Sequence, residues 1–233
     1  MRHVIATIVI VLGLGWGLPG HAQDLPGRIS VSGEGRVEAV PDMATVRLGV
    51  TTQAPGAREA IDDNSRAMAA VLDRLAGLGV AERDIQTQGF SVSPRWENRS
   101  NAPARIAGFV AQNRVAIRVR DLDALGGILD AVARDGANSF DGLSFGLQEP
   151  GPVQDAARRA AVADARARAA LYAEAAGVEL GRLLSLGDVG AGPQPGPMPM
   201  ARAEMAMVSD AVPMAAGELS ITAQVLMVFE IAE

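Results

Sequence analysis

Leu219-Ser-Ile-Thr-Ala-Gln-Val-Leu-Met-Val-Phe-Glu-Ile231 sets an apolar side chain at every odd position and a mostly polar one between. A period of two with one apolar phase is the pattern of a strand that buries a single face. The same period runs through Ala44, Val46, Leu48 and Val50, which alternate with Thr45, Arg47, Gly49 and Thr51. It returns in Val115, Ile117 and Val119 of a strand over Phe109–Arg120. Arg28–Val40 also reads as extended, with Ile29, Val31 and Val37 in phase. Shorter strands are predicted at Ile85–Val92, closed by Pro94, at Leu143–Leu147 and at Leu183–Leu186.

Between these strands the period changes to that of a helix. Ile61, Met68, Val71, Leu72, Leu75 and Leu78 fall at three- and four-residue steps, with charged residues between them and Gly77 and Gly79 at the end. Asp121 is placed to cap a second helix with the stripe Leu122, Leu125, Ile128, Leu129 and Val132, ended by Gly136. Pro150-Gly151-Pro152 leads into a third, over 153–176, with an inner face of Ala156, Ala157, Ala160, Ala161, Ala167 and Ala170. Arg95–Ala104 reads as a polar loop, and 190–217 as a flexible Pro/Met-rich loop without periodicity.

The element order is β-α-β-β over 43–120 and again over 140–232. Gly79-Val80 and Gly177-Val178 stand at matching places after the first and third helices. This suggests a duplicated unit. The fold class is α+β: a mostly antiparallel sheet with helices packed on one face.

Working outward to the first residues, Arg2 and His3 precede an apolar run, Val4–Leu18, broken by Pro19-Gly20 and followed by Gly20-His21-Ala22. This is the plan of a secretory signal peptide over 1–22, cleaved after Ala22. The run is about 15 residues, short of the roughly 20 that span a bilayer. No cysteine follows it to carry a lipid, and no later stretch is apolar enough for a transmembrane helix. The folded domain is expected over 28–233. Loss of the leader removes Arg2 and no acid, so the formal charge moves from −6 to −7. So acidic a chain is ill-suited to nucleic acid.

The side-chain inventory restricts chemistry further. Cysteine and lysine are absent, and the two histidines, His3 and His21, lie in the leader. That excludes Ser-His and Cys-His nucleophiles, Schiff-base lysines, P-loop lysines and His-ligated zinc from the remaining chain. Asp, Glu and Tyr172 are left for acid–base work. The expectation is a protein that is not an enzyme, with no catalytic residues and no cofactor.

Ile29-Ser-Val-Ser-Gly-Glu-Gly35, Pro41-Asp-Met-Ala-Thr-Val-Arg-Leu-Gly-Val50, Asp84-Ile-Gln-Thr87 running to Ser93-Pro94, and Gly108-Phe-Val-Ala-Gln-Asn113 follow one another in fixed order. Val115 to Arg120, Asp121-Leu-Asp123, Gly136-Ala-Asn138, Leu143-Ser-Phe145 and Ala176-Gly-Val178 continue it. In this order and spacing, from Ile29 to Phe229, the chain resembles the SIMPL domain family of bacterial periplasmic immunogenic and outer-membrane antigens. The resemblance implies an exported, periplasmic cell-envelope protein, in some members associated with the outer membrane. It implies a role in envelope integrity or oxidative-stress tolerance, and assembly into homo-oligomers or with an envelope protein partner. It supplies no catalytic residues.

Several clusters stand out from this background. Met198, Met200, Met205, Met207 and Met214 crowd the 190–217 loop. Thioethers suit Cu(I), they are a reversible oxidant sink, and they make adaptable contact surfaces. A metal- or oxidant-handling protein is therefore the alternative to a structural one. Asp62-Asp63 lies on a polar helix face, where neighbours diverge by about 100°. Arg158, Arg159, Arg166 and Arg168, with Asp155 and Asp164, stud the alanine-rich helix; Asp164 and Arg168 stand at the helix-supporting i,i+4 spacing, and the row reads as a salt-laced exposed face or as a subunit interface. Trp96 among Arg95, Glu97 and Arg99 is either a binding aromatic or a lid over a sheet edge. Gly33-Glu34-Gly35 sits in an extended segment with no helix after it, which argues against a phosphate loop and for a bulge or close backbone approach.

Overall fold

The alternation of the closing segment becomes a strand whose odd side chains Ile221, Ala223, Val225, Met227 and Phe229 are buried. The structure, a computed structural model, describes residues 27–99, 102–194 and 214–232. The expected leader, 1–22, lies outside the described residues. In chain order the elements are β1 (Arg28–Ala39), β2 (Met43–Ala54), α1 (Ala57–Gly77), β3 (Ile85–Arg99), β4 (Ala102–Val119) and α2 (Leu125–Arg134). They continue with β5 (Ser139–Gly146), α3 (Gly151–Ala176), β6 (Glu179–Gln194) and β7 (Leu219–Ala232). Every strand pair is antiparallel, as the α+β class requires.

The strands form two sheets, not the single sheet expected, in the orders β1-β7-β6 and β3-β4-β2-β5. α3 covers one face of the first, and its core is Val31, four alanines of α3 and the odd residues of β7. α1 and α2 cover one face of the second over Val46, Leu48, Val50, Val115, Ile117 and Val119. The repeat is present with one exchange. In the first unit β2, β3 and β4 stand in the order β3-β4-β2. In the second, the place beside β7 belongs to β1, while β5 has crossed to the free edge of β2.

Packing against α3 explains why β1 takes that place. A Cβ on Gly33 would lie 2.2 Å from the Ala161 carbonyl oxygen, and one on Gly35 2.0 Å from that of Ala157. The strand and helix backbones touch, which needs glycine on one side and alanine on the other. Glu34 N–H then donates to the Asp164 carboxylate at 2.9 Å. The alanines that face inward are Ala157, Ala161, Ala165, Ala169 and Ala173, a strict four-residue step. Ala157 and Ala161 were expected there. Ala167 and Ala170 are instead exposed, because the helix follows a single straight row of contacts along the strand.

All three helices end in the same hydrogen-bonded turn. Val80 N–H reaches Leu75 O at 3.0 Å, Ala137 N–H reaches Val132 O at 2.9 Å and Val178 N–H reaches Ala173 O at 3.0 Å. Gly79, Gly136 and Gly177 hold φ of +83°, +119° and +69° before those residues. This is the Schellman closure, and it explains the matching Gly-Val pairs. Asp121 Oδ1 accepts from the Asp123 and Ala124 amides, one turn ahead of α2 proper.

Two segments differ from expectation. Arg95–Ala104 is not a loop: β3 runs to Arg99 and β4 starts at Ala102, with Trp96 opposite Ile106. Its polar composition belongs to a ribbon exposed on both faces. The 190–217 loop starts later, since β6 continues to Gln194 opposite Ser220; residues 195–213 lie outside the described residues.

Gly35→Ala should destabilise the protein by about 1–3 kcal/mol through overpacking. Gly89→Ala, which meets nothing within 4 Å, is the control and should change stability by less than about 0.5 kcal/mol. Urea unfolding of the two variants measures the difference.

Candidate functional site

On β2 and β4 the helix-facing phase is apolar, and the other phase is Thr45 and Arg47, Ala116 and Arg118. Register sets these side chains in rows across the face that no helix covers among the described residues. Gln86, Ala116, Arg47 and Gly142 are successive cross-strand neighbours, and Arg118 stands beside Thr45 and Ser144 in the adjacent row. Ala116 on one side of Arg47 keeps the floor low, and Gly142 on the other leaves space for the Arg47 side chain. The Arg47 guanidinium lies 3.6 Å from the position of a Cβ on Gly142. The result is a cleft of about 530 Å³, with Arg83 and Asp84 on its wall. A second cleft of about 310 Å³ shares Arg83, Asp84 and Arg118 and runs toward the end of α1 and the start of α2.

Asp84 is the anchor of this region. It ends a 3-10 turn, Glu82–Asp84, and its side chain is only 3% exposed. Arg120 Nε and Nη2 donate to its two oxygens, each at 2.8 Å, the bidentate geometry that guanidinium and carboxylate favour. Arg118 Nε lies 3.4 Å from Oδ1, and Arg118 Nη2 donates to the Arg83 carbonyl at 3.1 Å. The Arg120 hydrogen bonds hold the Asp84 carboxyl below the usual aspartate range; burial opposes this, and the Arg120, Arg118 and Arg83 charges reinforce it. Asp84 is thus a fixed anion, poorly placed to accept a proton at neutral pH.

The same cluster fastens the crossover between the sheets. Arg120 Nη1 donates to Gln148 Oε1 at 3.1 Å, Gln148 Nε2 to Asp42 O at 2.9 Å, and Gln148 N–H to Asp42 Oδ1 at 2.7 Å. Asp42 N–H in turn donates to Gly146 O at 3.1 Å. The β1–β2 and β5–α3 connections are therefore tied to each other and, through Arg120, to Asp84.

The residues singled out from sequence fall elsewhere. Met198, Met200, Met205 and Met207 lie outside the described residues; Met214 is partly buried against the core beneath α1 and α2. Asp62 pairs with Arg58 and Asp63 with Arg66 on an exposed helix face. Asp155–Arg158 and Asp164–Arg168 are ion pairs of α3, each at 2.9 Å. Gly33 and Gly35 serve the helix contact. Among the described residues no three acidic side chains converge as a metal site would require. Sequence reading passed over Asp84, Arg118 and Arg120 as a site. Their one signal was a pair of arginines on the outward phase of a strand whose inward phase is Val115, Ile117 and Val119.

A carboxyl lowered in the folded state leaves that state with fewer bound protons than the unfolded chain. Its stabilisation is complete above the unfolded value, about pH 4, and is lost as pH falls through the folded value. Asp84→Asn should therefore flatten the fall of stability below about pH 4, and at neutral pH should cost about 1–3 kcal/mol, the scale of hydrogen bonds to charged groups. Urea midpoints against pH for both proteins check the two effects.

Comparison with known proteins agrees with the resemblance. The family model described as SIMPL, a protein of unknown function (DUF541), matches residues 29–229. The 26 kDa periplasmic immunogenic protein of Brucella melitensis is 38% identical over 241 residues, covering 97% of this chain and 94% of the relative. The uncharacterized protein YggE of Escherichia coli K12 is 28% identical over 220 residues, covering 94% and 87%. YggE of Edwardsiella ictaluri is 27% identical over 190 residues, covering 80% and 79%. With the match spanning both sheets and all three helices, the chain belongs to the SIMPL family.

Proposed function

We propose that this chain is an exported, periplasmic envelope protein without catalytic activity, and that it works by associating with further copies of itself. Its role would be envelope integrity or tolerance of oxidative stress. The periplasmic names of its Brucella relatives and the signal-like leader support the location. The absence of imidazole, thiol and amine side chains beyond residue 21 supports a non-catalytic role, as does a carboxylate, Asp84, held as an anion by guanidinium partners.

The observation that carries self-association is the end of the β3–β4 hairpin. β2 pairs with β4 only as far as Phe109, so Ala102–Gly108 is paired with β3 alone. A two-stranded ribbon is marginal in water by itself. Here it carries Trp96 directly opposite Ile106, 57% and 47% exposed, and one edge of β3 has no strand beside it among the described residues. An apolar pair on an open-edged ribbon is a surface that another chain covers.

Light scattering on the exported protein should give a mass well above the monomer, and Trp96→Asp combined with Ile106→Asp should shift it toward the monomer with the fold intact by circular dichroism. A monomeric wild-type protein, or an unchanged assembly in the double variant, contradicts the proposal.

A further inference from the structure

Arg47 and Arg83 differ from the neighbouring arginines. Arg114 pairs with Asp141 at 3.1 Å, and Arg118 and Arg120 share Asp84. Arg47 and Arg83 make no ion pair within 4 Å among the described residues, although the Arg83 charge is felt at Asp84, and both line the 530 Å³ cleft. Three arginines line it against one aspartate, in a chain whose formal charge is −6. A local excess of positive charge in an acidic protein has a cost in self-repulsion, and a bound anion relieves it.

We propose that the cleft between Arg47, Arg83 and Arg118 is a binding site for a phosphomonoester group. Guanidinium forks match the oxygens of phosphate in geometry as well as charge. A phosphomonoester carries about −1.5 to −2 charges at pH 7, close to the excess that faces it. Thr45, Gln86 and Gln88 complete the lining with a hydroxyl and two amides, which bond oxyanion or sugar oxygens. Arg118 is already fixed by Asp84 and the Arg83 carbonyl, so one wall is ordered before a ligand arrives. The small side chain of Ala116 keeps the floor low between Gln86 and Arg47 and leaves room for a compact anion there. The acidic remainder of the surface disfavours a long polyanion, while a small dianion answers mainly to charges within a Debye length of about 8 Å. The site lies on the sheet face opposite α1 and α2 and does not depend on self-association.

Calorimetric titration of the exported protein at low ionic strength tests the proposal with two probes. One is inorganic phosphate; the other is phosphatidylcholine vesicles with and without phosphatidic acid. Binding of either, weakened at least about tenfold (about 1.4 kcal/mol) in Arg47→Gln/Arg83→Gln and unchanged in Arg159→Gln, is the expected result. Phosphate binding points to a soluble ligand, and binding only to phosphatidic acid vesicles points to a lipid headgroup. Ala116→Glu, which sets a carboxylate on the floor and leaves both arginines in place, should abolish binding if the double variant fails to fold. No saturable binding of either probe, or equal binding by the variants, overturns the proposal.

Discussion

The contact between β1 and α3 is the constraint from which the rest of the architecture follows. Gly33 and Gly35 lie flat against the alanine row of the helix, at a distance that any side chain on the strand would block. A strand so matched to α3 takes the position beside β7 and pairs along its whole length, from Arg28–Glu230 to Ala39–Leu219. β5, eight residues long and without such glycines facing a helix, is left to add to β2. That exchange interlocks the two sheets. It also brings Gly142 beside Arg47, where the missing side chain makes space for the guanidinium at the margin of the cleft. Backbone packing in one sheet thereby sets which strand neighbours Arg47 in the other.

The crossover needs a second fastening, because two connections run between the sheets in opposite directions. Asp84 supplies it through Arg120 and Gln148. A buried carboxylate is retained at a desolvation cost unless it is fully hydrogen-bonded, and here both oxygens are engaged. The arrangement accounts for the one buried acidic side chain among the described residues without invoking a reaction. It also leaves Arg118 rigid, which suits a binding surface more than a mobile one.

Much of this was legible in the sequence. Period-two alternation identified β2, β4 and β7, three- and four-residue steps identified α1 and α2, and the Gly-Val pairs marked helix ends that proved to share one closure. Gly33 and Gly35 signalled a close approach. Sheet membership was not legible, because β1 and β5 show similar local patterns and the choice between them depends on fit to a helix more than a hundred residues away. The hairpin end was misread because polar composition marks exposure, and a ribbon solvated on both faces is as polar as a loop. Asp84 was invisible for a related reason: its burial comes from Arg118 and Arg120, residues distant in sequence that meet it only through strand register.

Cysteine is absent from the chain, so paired cysteines can report strand neighbours without interference. The exchange of β5 is tested most directly by Thr45→Cys with Ser144→Cys, placed opposite each other across β2 and β5. Mild oxidation followed by peptide mass analysis should find an intramolecular 45–144 disulfide in high yield in the folded monomer fraction. A protein that leaves this pair reduced, but links position 144 to a cysteine placed on β7, would contradict the account.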